Sequence, residues 1–380
     1  MNILELKELE YDEVAKCNRC GFCLTVCPTY NVMKTERQNA RGRNALTRAS
    51  IEEKIQVSED VEDSLFNCLG CGACEVACLP KVQTKQIVRA ERSLLVDSGY
   101  CPDSIKRVAE SLEKNYNISD EDNEDRAEWR EDIPDLPDNM YEKERAEVVY
   151  FVGCVSSFFP MVQKIPQNLV QIMDKGGIDF TILGGKEWCC GFPLIQAGMY
   201  KKAEKLKEHN LDKIKEVRAK RVLFSCPSCY RTWNEFYDTD VELIHSSHLL
   251  EELLRNKKIP LKELNLTVTY HDPCDLGRNS GVYEPPREVL RMIPGVKLVE
   301  LKNNREKSVC CGGGGDVEMA NPDLTSEIAQ MKIDEIQETG TDIVVTPCQQ
   351  CIRTISTRAR KQGIKLKVMD LSEIVMMAMK

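Results

Sequence analysis

The side chains best suited to chemistry in this sequence are thiols, because the chain of 380 residues contains nineteen cysteines. Eight of them form two runs with the spacing C-x2-C-x2-C-x3-C: Cys17, Cys20, Cys23 and Cys27, then Cys68, Cys71, Cys74 and Cys78. This spacing lets three thiolates surround one corner of a cubane [4Fe-4S] cluster, while the fourth cysteine binds the neighbouring cluster. The runs therefore predict two cubane clusters, one on Cys17, Cys20, Cys23 and Cys78 and the other on Cys68, Cys71, Cys74 and Cys27. A zinc site is the alternative, although zinc favours thiolates in two separated pairs.

Ten further cysteines form two sets of five in the C-terminal part of the chain. Each set has a single cysteine, an adjacent pair followed by glycine, and a C-x2-C pair: Cys154, Cys189, Cys190, Cys226 and Cys229, then Cys274, Cys310, Cys311, Cys348 and Cys351. Equivalent cysteines are 120, 121 and 122 residues apart, which indicates an internal duplication. Five thiolates are one more than a tetrahedral ion needs, and an adjacent pair suits neighbouring irons. A strained Cys189–Cys190 disulfide is the alternative, and Cys101 lies outside every set.

The elements that must position these thiols are repeated as well. Short apolar runs of β-forming residues, such as Leu266–Tyr270, alternate with helix-length amphipathic segments such as 203–219. This alternation predicts two α/β domains with parallel strands, and the cysteines are expected at the carboxyl ends of those strands. Helical patterns at 36–53 and 85–96 predict a mostly α-helical domain around the first eight cysteines.

These patterns divide the chain into four parts. They are a ferredoxin-like domain at 1–100, an acidic connector at 101–146, a first cysteine-rich domain at 147–260 and a second at 261–380. From 119 to 147 there are thirteen acidic and four basic residues. We interpret this stretch, which contains Pro134 and Pro137, as a solvated linker, with a docking surface for a partner as the alternative.

The composition excludes several classes of function. A net charge of −9 argues against nucleic acid as a partner. No apolar run approaches the roughly 20 residues of a membrane helix, and the charged N-terminus lacks the apolar segment of a signal peptide. We therefore expect a cytoplasmic protein without a membrane span of its own. Many cysteines in such a protein indicate metal or redox chemistry rather than structural disulfides.

The cysteines of the C-terminal half belong to longer motifs. These are YFVGC at 150–154, EWCCG at 187–191, VLFSCPSC at 222–229, VTYHDPC at 268–274, VYEPPREVL at 282–290 and CCGGGG at 310–315. With a ferredoxin-like block ahead of two such domains, the chain resembles the D-type subunit of heterodisulfide reductases over nearly its whole length. The resemblance implies that each set of five cysteines binds a noncubane [4Fe-4S] cluster and that these ten cysteines are catalytic.

The resemblance also implies a function. The chain would pass electrons through two cubane clusters to two noncubane clusters and reduce a disulfide, with the coenzyme M–coenzyme B heterodisulfide as the expected substrate. The alternative is the iron–sulfur electron-transfer subunit of an FAD-linked glycolate or D-lactate dehydrogenase. Members of that branch commonly lose cysteines from the terminal C-x2-C pairs, whereas this chain keeps both pairs.

The expected partners follow from what the sequence lacks. There is no G-x-G-x-x-G motif after a strand, so we expect no flavin or nicotinamide on this chain. Its electrons must then come from another protein, either a flavoprotein or a membrane cytochrome b. Through such a partner the protein would be associated with a membrane.

Several residues near the second set have weaker predicted roles. Arg278 and Arg353 are candidates to bind acidic groups of a disulfide in a cleft between the two cysteine-rich domains. His271 and Asp272 either donate a proton to a leaving thiolate or orient their loop through hydrogen bonds. The glycines at 312–315 are expected to bring the backbone close to a cluster.

Overall fold

The computed structural model describes residues 11–133 and 140–380. The first ten residues and the prolines Pro134 and Pro137 lie outside the described residues. A bilayer-spanning helix needs about 20 apolar residues, and no helix in the described ranges combines that length with sufficient hydropathy.

The N-terminal domain is built from short helices, as its sequence predicts. They are α1 (Tyr11–Ala15), α2 (Phe22–Val26), α3 (Pro28–Met33), α4 (Ala40–Ile51), α5 (Glu59–Phe66), α6 (Ala73–Ala77) and α7 (Thr84–Asp97), with a 3₁₀ turn at Glu36–Gln38. The predicted helices at 36–53 and 85–96 correspond to α4 and α7. The start of α4 is fixed by its N-cap residue, because the Asn39 side chain accepts a hydrogen bond from the Gly42 N–H at 3.1 Å.

The C-terminal half contains two parallel sheets of four strands. The strands are β1 (Val148–Phe151), β2 (Phe180–Ile182), β3 (Arg221–Phe224), β4 (Glu242–His245), β5 (Leu266–Tyr270), β6 (Val296–Glu300), β7 (Ile343–Val345) and β8 (Lys367–Met369). The strand orders are β2-β1-β3-β4 and β6-β5-β7-β8. They are the same topology, because β5 to β8 are the repeat equivalents of β1 to β4. The predicted duplicated α/β fold is therefore confirmed. Every residue of β1 is buried, as expected for a strand covered by helices on both faces.

Helices cover both sheets and join the two repeats. They are α8 (Asp103–Lys114), α9 (Cys154–Phe158), α10 (Lys164–Lys175), α11 (Phe192–Gln196), α12 (Tyr200–Val217), α13 (Pro227–Phe236), α14 (Ser246–Arg255), α15 (Glu284–Met292), α16 (Val317–Ala320), α17 (Pro322–Gln337), α18 (Gln349–Lys361) and α19 (Leu371–Ala378). Helix α10 packs on α19, and α14 packs on α15. Since α15 and α19 are the repeat equivalents of α10 and α14, the two repeats meet with pseudo-twofold symmetry around one shared apolar core.

The prediction of a solvated linker is wrong for much of the acidic stretch. A 3₁₀ helix at Asn123–Asp132 alternates exposed acids with the buried residues Asn123, Arg126, Ala127 and Trp129. The Asn123 amide donates to the carbonyls of Gly185 and Glu187 at 2.7 and 3.0 Å, which holds the segment on the first repeat. The acids face solvent because the segment is amphipathic, and its inner face completes the first domain.

Asp370 is expected to make stability depend on pH. It caps α19 by accepting from the Ser372 N–H at 2.8 Å, while burial raises its pKa from 3.8 to about 7 and nearby Glu373 adds to the increase. The folded protein then binds more protons than the unfolded chain between these two values, so stability falls as pH rises from about 4 towards 7.

Thermal unfolding of the wild type and of Asp370→Asn, measured across that pH range, tests this expectation. In Asp370→Asn, the decrease in Tm that the ionisation of Asp370 causes between about pH 4 and 7 should disappear, because asparagine stays neutral and still caps the helix. The exposed carboxylate of Asp212 offers a matched control, and Asp212→Asn should leave the pH dependence of Tm unchanged. Equal pH slopes in the wild type and Asp370→Asn would contradict the assignment.

Candidate metal centres

The eight N-terminal cysteines surround two adjacent cavities. One is lined by Cys17, Cys20, Cys23 and Cys78, the other by Cys27, Cys68 and Cys71, and Cys74 borders both. The fold thus brings Cys78 to the first run and Cys27 to the second. Gly21 and Gly72 stand between the second and third cysteines of each run with φ of 88° and 75°. These left-handed turns, which suit glycine, aim three thiols at one point.

The first set of five cysteines converges at the carboxyl edge of the first sheet. Cys154 follows β1 and Cys226 follows β3, where open parallel sheets place their ligands. Neighbouring thiols are close enough to interact in the order Cys154, Cys189, Cys190, Cys229, Cys226. Interactions with Cys189 and Cys229 lower the pKa of Cys190 to about 6, whereas the pKa values of Cys154, Cys189 and Cys229 are raised, so Cys190 is one of the thiols that ionise most readily in this buried cluster.

The second set of five converges in the same way at the edge of the second sheet. The Cys274 and Cys310 sulfurs lie 4.0 Å apart, and Cys311 and Cys348 each interact with Cys351. The Cys351 N–H also donates to the Cys348 sulfur at 3.4 Å, a contact typical of thiolates that bind clusters.

His271 and Asp272 differ in their surroundings. The ligand atoms of His271, Cys311 and Cys351 lie within 4.8 Å of one another. Burial lowers the pKa of His271, so the ring is neutral. Asp272 accepts two hydrogen bonds from Arg287 at 2.7 and 2.8 Å, as well as one from the Arg305 N–H. Asp272 therefore orients the loop, which was one of its two predicted roles.

These donor sets fit iron–sulfur clusters. Each brings soft sulfur ligands together. In the two sets of five, the pKa of one thiol of the adjacent pair, Cys190 or Cys311, is lowered, and backbone N–H groups are directed at the sulfurs of Cys189 and Cys348. Close approach is built into the backbone, since a Cβ added to Gly153 would lie 3.2 Å from the Cys229 sulfur. Cys101 is buried apart from these sets, and its thiol donates only weakly to the Pro102 carbonyl at 3.8 Å.

A cavity of about 560 Å³ opens between the first repeat, α8 and loops of the second repeat. All five cysteines of the first set line it, whereas the described lining residues of the second repeat are non-cysteine residues such as Gly313 and Arg353. The guanidinium carbon of Arg353 lies 4.2 Å from the centre of the Phe159 ring. Arg353 therefore lies in the cleft between the two repeats, where it was predicted. The prediction for Arg278 is wrong. It lies between the N-terminal domain and the second repeat, where its guanidinium donates to the Cys71 carbonyl at 2.8 Å.

Two candidate functional residues were not predicted from the sequence. Arg126 is buried, pairs with Glu187 at 3.0 Å and directs its Nη2 at the Cys154 sulfur at 3.5 Å. Asp316 lines the cavity with a buried, unpartnered Oδ2, and burial raises its pKa to about 7. Arg126 stood in a stretch interpreted as linker, and no motif marks Asp316. The apolar side of 123–129 was the one signal in the sequence that could have revealed Arg126.

The fold and its thiol sites are those of an iron–sulfur oxidoreductase, and comparisons with known proteins agree. The 4Fe-4S dicluster domain family matches residues 13–82, and the cysteine-rich domain family matches 148–233 and 268–356. The chain is 31% identical to the D-type subunit of the dihydromethanophenazine:CoB–CoM heterodisulfide reductase of Methanosarcina acetivorans, over 98% of this chain and 96% of the relative. The protein therefore belongs to the family of D-type heterodisulfide reductase subunits.

Other relatives differ in how much of their own length this chain covers. The corresponding protein of Methanosarcina barkeri is 32% identical over 97% of this chain and 95% of its own. A probable iron–sulfur-binding oxidoreductase, FadF, of Bacillus subtilis is 28% identical over 83% of this chain and 46% of its own. A hypothetical protein from Helicobacter pylori shares the fold, with a TM-score of 0.62 and 12% identity over 99% of this chain and 74% of its own.

Proposed function

We propose that this subunit accepts electrons from a partner protein and reduces a disulfide, with the coenzyme M–coenzyme B heterodisulfide as the substrate. The electrons would pass through two cubane clusters in the N-terminal domain to two noncubane clusters in the repeats. The observation that carries the proposal is that both sets of five cysteines are complete and convergent, and that one of them opens on a cavity. The relationship to the Methanosarcina proteins supports the same substrate.

The eighteen cysteines in the two runs and two sets would hold these clusters. Bound iron–sulfur clusters supply single electrons and an electron-poor iron that stabilises thiolate, and a disulfide needs two electrons. The wall of the cavity is largely apolar and includes Val108, Phe159 and Phe192. Such a wall excludes water and suits the aliphatic part of a disulfide substrate.

Polar groups at the same cavity supply charge and protons. Arg107 and Arg353 line it and offer positive charge to the sulfonate or phosphate of a substrate. Reduction of a disulfide to two thiols also consumes two protons. The carboxyl group of Asp316 is protonated in part near neutral pH, because burial raises its pKa to about 7, and it can supply one of them.

Thiol titration followed by electron paramagnetic resonance tests the proposal. The reconstituted full chain should contain about sixteen irons, as four clusters of the [4Fe-4S] type require. Coenzyme M added to the oxidised protein should produce a new signal from a cluster in a repeat. That signal should disappear in Cys190→Ser, which removes a thiol at the cavity, and persist in the control Cys101→Ser.

The same experiment can support the alternative. An iron count near eight, with the repeats empty, would contradict the noncubane assignment. No spectral response to any thiol, together with rapid electron exchange with a flavoprotein 2-hydroxyacid dehydrogenase, would support the electron-transfer function. The relationship to the Bacillus subtilis oxidoreductase makes that second function worth testing.

A further inference from the structure

The N-terminal domain contacts the second repeat through the cysteine sites themselves. Cys71 and Cys310 pack in one buried cluster, and their thiols are close enough to interact. The second N-terminal site, formed by Cys27, Cys68, Cys71 and Cys74, therefore adjoins the second set. Beside this contact, Gly315 packs on the backbone of Cys68, and a Cβ on Gly315 would lie 2.5 Å from the Cys68 carbonyl oxygen. The Arg92 guanidinium donates hydrogen bonds to the carbonyls of both Gly315 and Cys68 and so stabilises this contact.

Arg278 lies at the same contact. Its Nε donates to the Cys71 carbonyl at 2.8 Å, and its Nη1 donates to the carbonyls of Glu306 and Ser308. Its Nη2 is buried and has no hydrogen-bond partner in the described structure. The guanidinium is also close enough to Cys71, Cys274 and Cys310 to interact with all three thiolates. A buried donor without a partner, beside the thiols of two sites, indicates a hydrogen bond to a bound cluster.

The duplication shows that this contact is specific to the second repeat. Counted from the first cysteine of each set, the position of Arg278 is occupied in the first repeat by Phe158. Counted from the adjacent cysteine pair, the glycines at 313–315 correspond to Phe192, Pro193 and Leu194. The first repeat therefore has no equivalent of Arg278 or of the glycine run. Its own buried cation, Arg126, comes from the connector and approaches Cys154, and the first set faces the cavity. The first set also lies near the second set. Gln349, next to Cys348, donates to the hydroxyl of Ser225, next to Cys226, and the two thiols interact electrostatically.

We infer that electrons enter the repeats through the second set, and that Arg278 is a positioning residue whose charge stabilises the reduced state on both sides of the contact. With clusters bound, one electron would pass from the site on Cys27, Cys68, Cys71 and Cys74, which would be oxidised, to the site of the second repeat, which would be reduced, and no bond would break. The site of the second repeat would then pass the electron to that of the first repeat, which borders the cavity. A positive charge near a buried site favours added electrons because protein screens charge weakly. The inference rests on the clusters of the proposed function but does not depend on a disulfide substrate.

Redox titrations of the reconstituted full chain, monitored by electron paramagnetic resonance, test the role of Arg278. In Arg278→Met, the ratio of reduced to oxidised cluster at a fixed potential should fall about tenfold at the second N-terminal site and in the second repeat. This corresponds to about 59 mV for a one-electron couple. Arg278→Lys keeps the charge and should show a smaller shift in the same direction.

The cluster of the first repeat and a matched control should not respond. Arg221 starts β3, at the opposite edge of the sheet from the cysteines, and pairs with Glu242 and Glu252. Arg221→Met should leave every midpoint potential unchanged. Unchanged potentials in Arg278→Met with its full iron content would overturn the role of Arg278.

A kinetic measurement on the unaltered chain tests the order of transfer. The oxidised protein is mixed with less than one equivalent of dithionite and frozen at successive times. The signal of the second repeat should appear before that of the first, with the two signals assigned from Cys311→Ser and Cys190→Ser. Reduction of the first repeat before the second would overturn the inference. Because neither experiment uses a thiol or a disulfide, the proposed substrate can fail while this result stands.

Discussion

Arg126→Met is expected to lower the free energy of unfolding by about 3–5 kcal/mol, the usual cost of leaving one partner of a buried ion pair alone. Both side chains of the Arg126–Glu187 pair are 1% exposed, so solvent cannot replace the lost cation. Glu187 also accepts hydrogen bonds from the N–H groups of Val152 and Gly153 at 2.8 Å, which holds the loop before Cys154. Loss of the pair should therefore also disturb the cluster of the first repeat.

Denaturant unfolding of the reconstituted protein measures this cost. Arg126→Met combined with Glu187→Gln should recover part of the loss, because glutamine removes the uncompensated charge. The recovery is partial because the carboxylate accepts the two backbone hydrogen bonds on separate oxygens, and the single carbonyl oxygen of glutamine can accept only one of them. Arg255 forms an exposed pair with Glu251, and Arg255→Met should change stability by less than about 1 kcal/mol. A loss below about 1 kcal/mol in Arg126→Met would show that the connector is not an integral part of the first domain.

Gly315→Ala is expected to weaken the contact between the N-terminal domain and the second repeat and to slow electron transfer across it. Gly315 has φ of 61°, and an added Cβ would lie 2.5 Å from the Cys68 carbonyl oxygen, so the two backbones must separate. Left-handed backbone costs alanine about 1–2 kcal/mol, and overpacking adds about 1–3 kcal/mol. The measurements are the free energy of unfolding and the rate at which the second repeat is reduced.

Two other glycines supply matched controls. Gly198 has φ of 80°, and its Cβ would lie 2.5 Å from the Ser93 nitrogen, at the contact between the N-terminal domain and the first repeat. Gly198→Ala should destabilise the protein by a similar amount without slowing reduction of the second repeat. Gly363 has φ of 67° and no atom within 4 Å of an added Cβ. Gly363→Ala therefore measures the free-energy cost of the left-handed backbone alone, without any steric overlap. Equal rates in Gly198→Ala and Gly315→Ala would contradict the assignment of the contact.

The sequence predicts the local chemistry of this protein well. Strands and helices could be recognised because buried parallel strands are apolar throughout and the covering helices are amphipathic. The duplication was visible in the regular offset of Cys154, Cys189 and Cys226 from their equivalents. Cys27 and Cys78 could be assigned crosswise because that spacing has a known geometric consequence, and the fold places them accordingly.

Contacts between domains could not be predicted in the same way. Arg278 was predicted to line a substrate cleft because it follows Cys274 closely, but only the docking of the N-terminal domain determines what it meets. The glycines after Cys311 were expected to approach a cluster, yet Gly315 approaches the backbone of Cys68. Arg126 was hidden by its acidic neighbours, since net charge describes the exposed face of a segment and says nothing about its buried face.

The uneven exposure of the cysteines has a consequence for side reactions with oxygen. Cys20 is exposed, whereas Cys310, Cys311, Cys348 and Cys351 are buried. An electron held at a site open to solvent can be lost to dissolved dioxygen, while protein around a buried site keeps dioxygen away. Along the proposed route, the second set is therefore the best protected from dioxygen, and loss of electrons is expected mainly at the outer end near Cys20 and at the mouth of the cavity. A substrate bound in the cavity would cover the second of these openings.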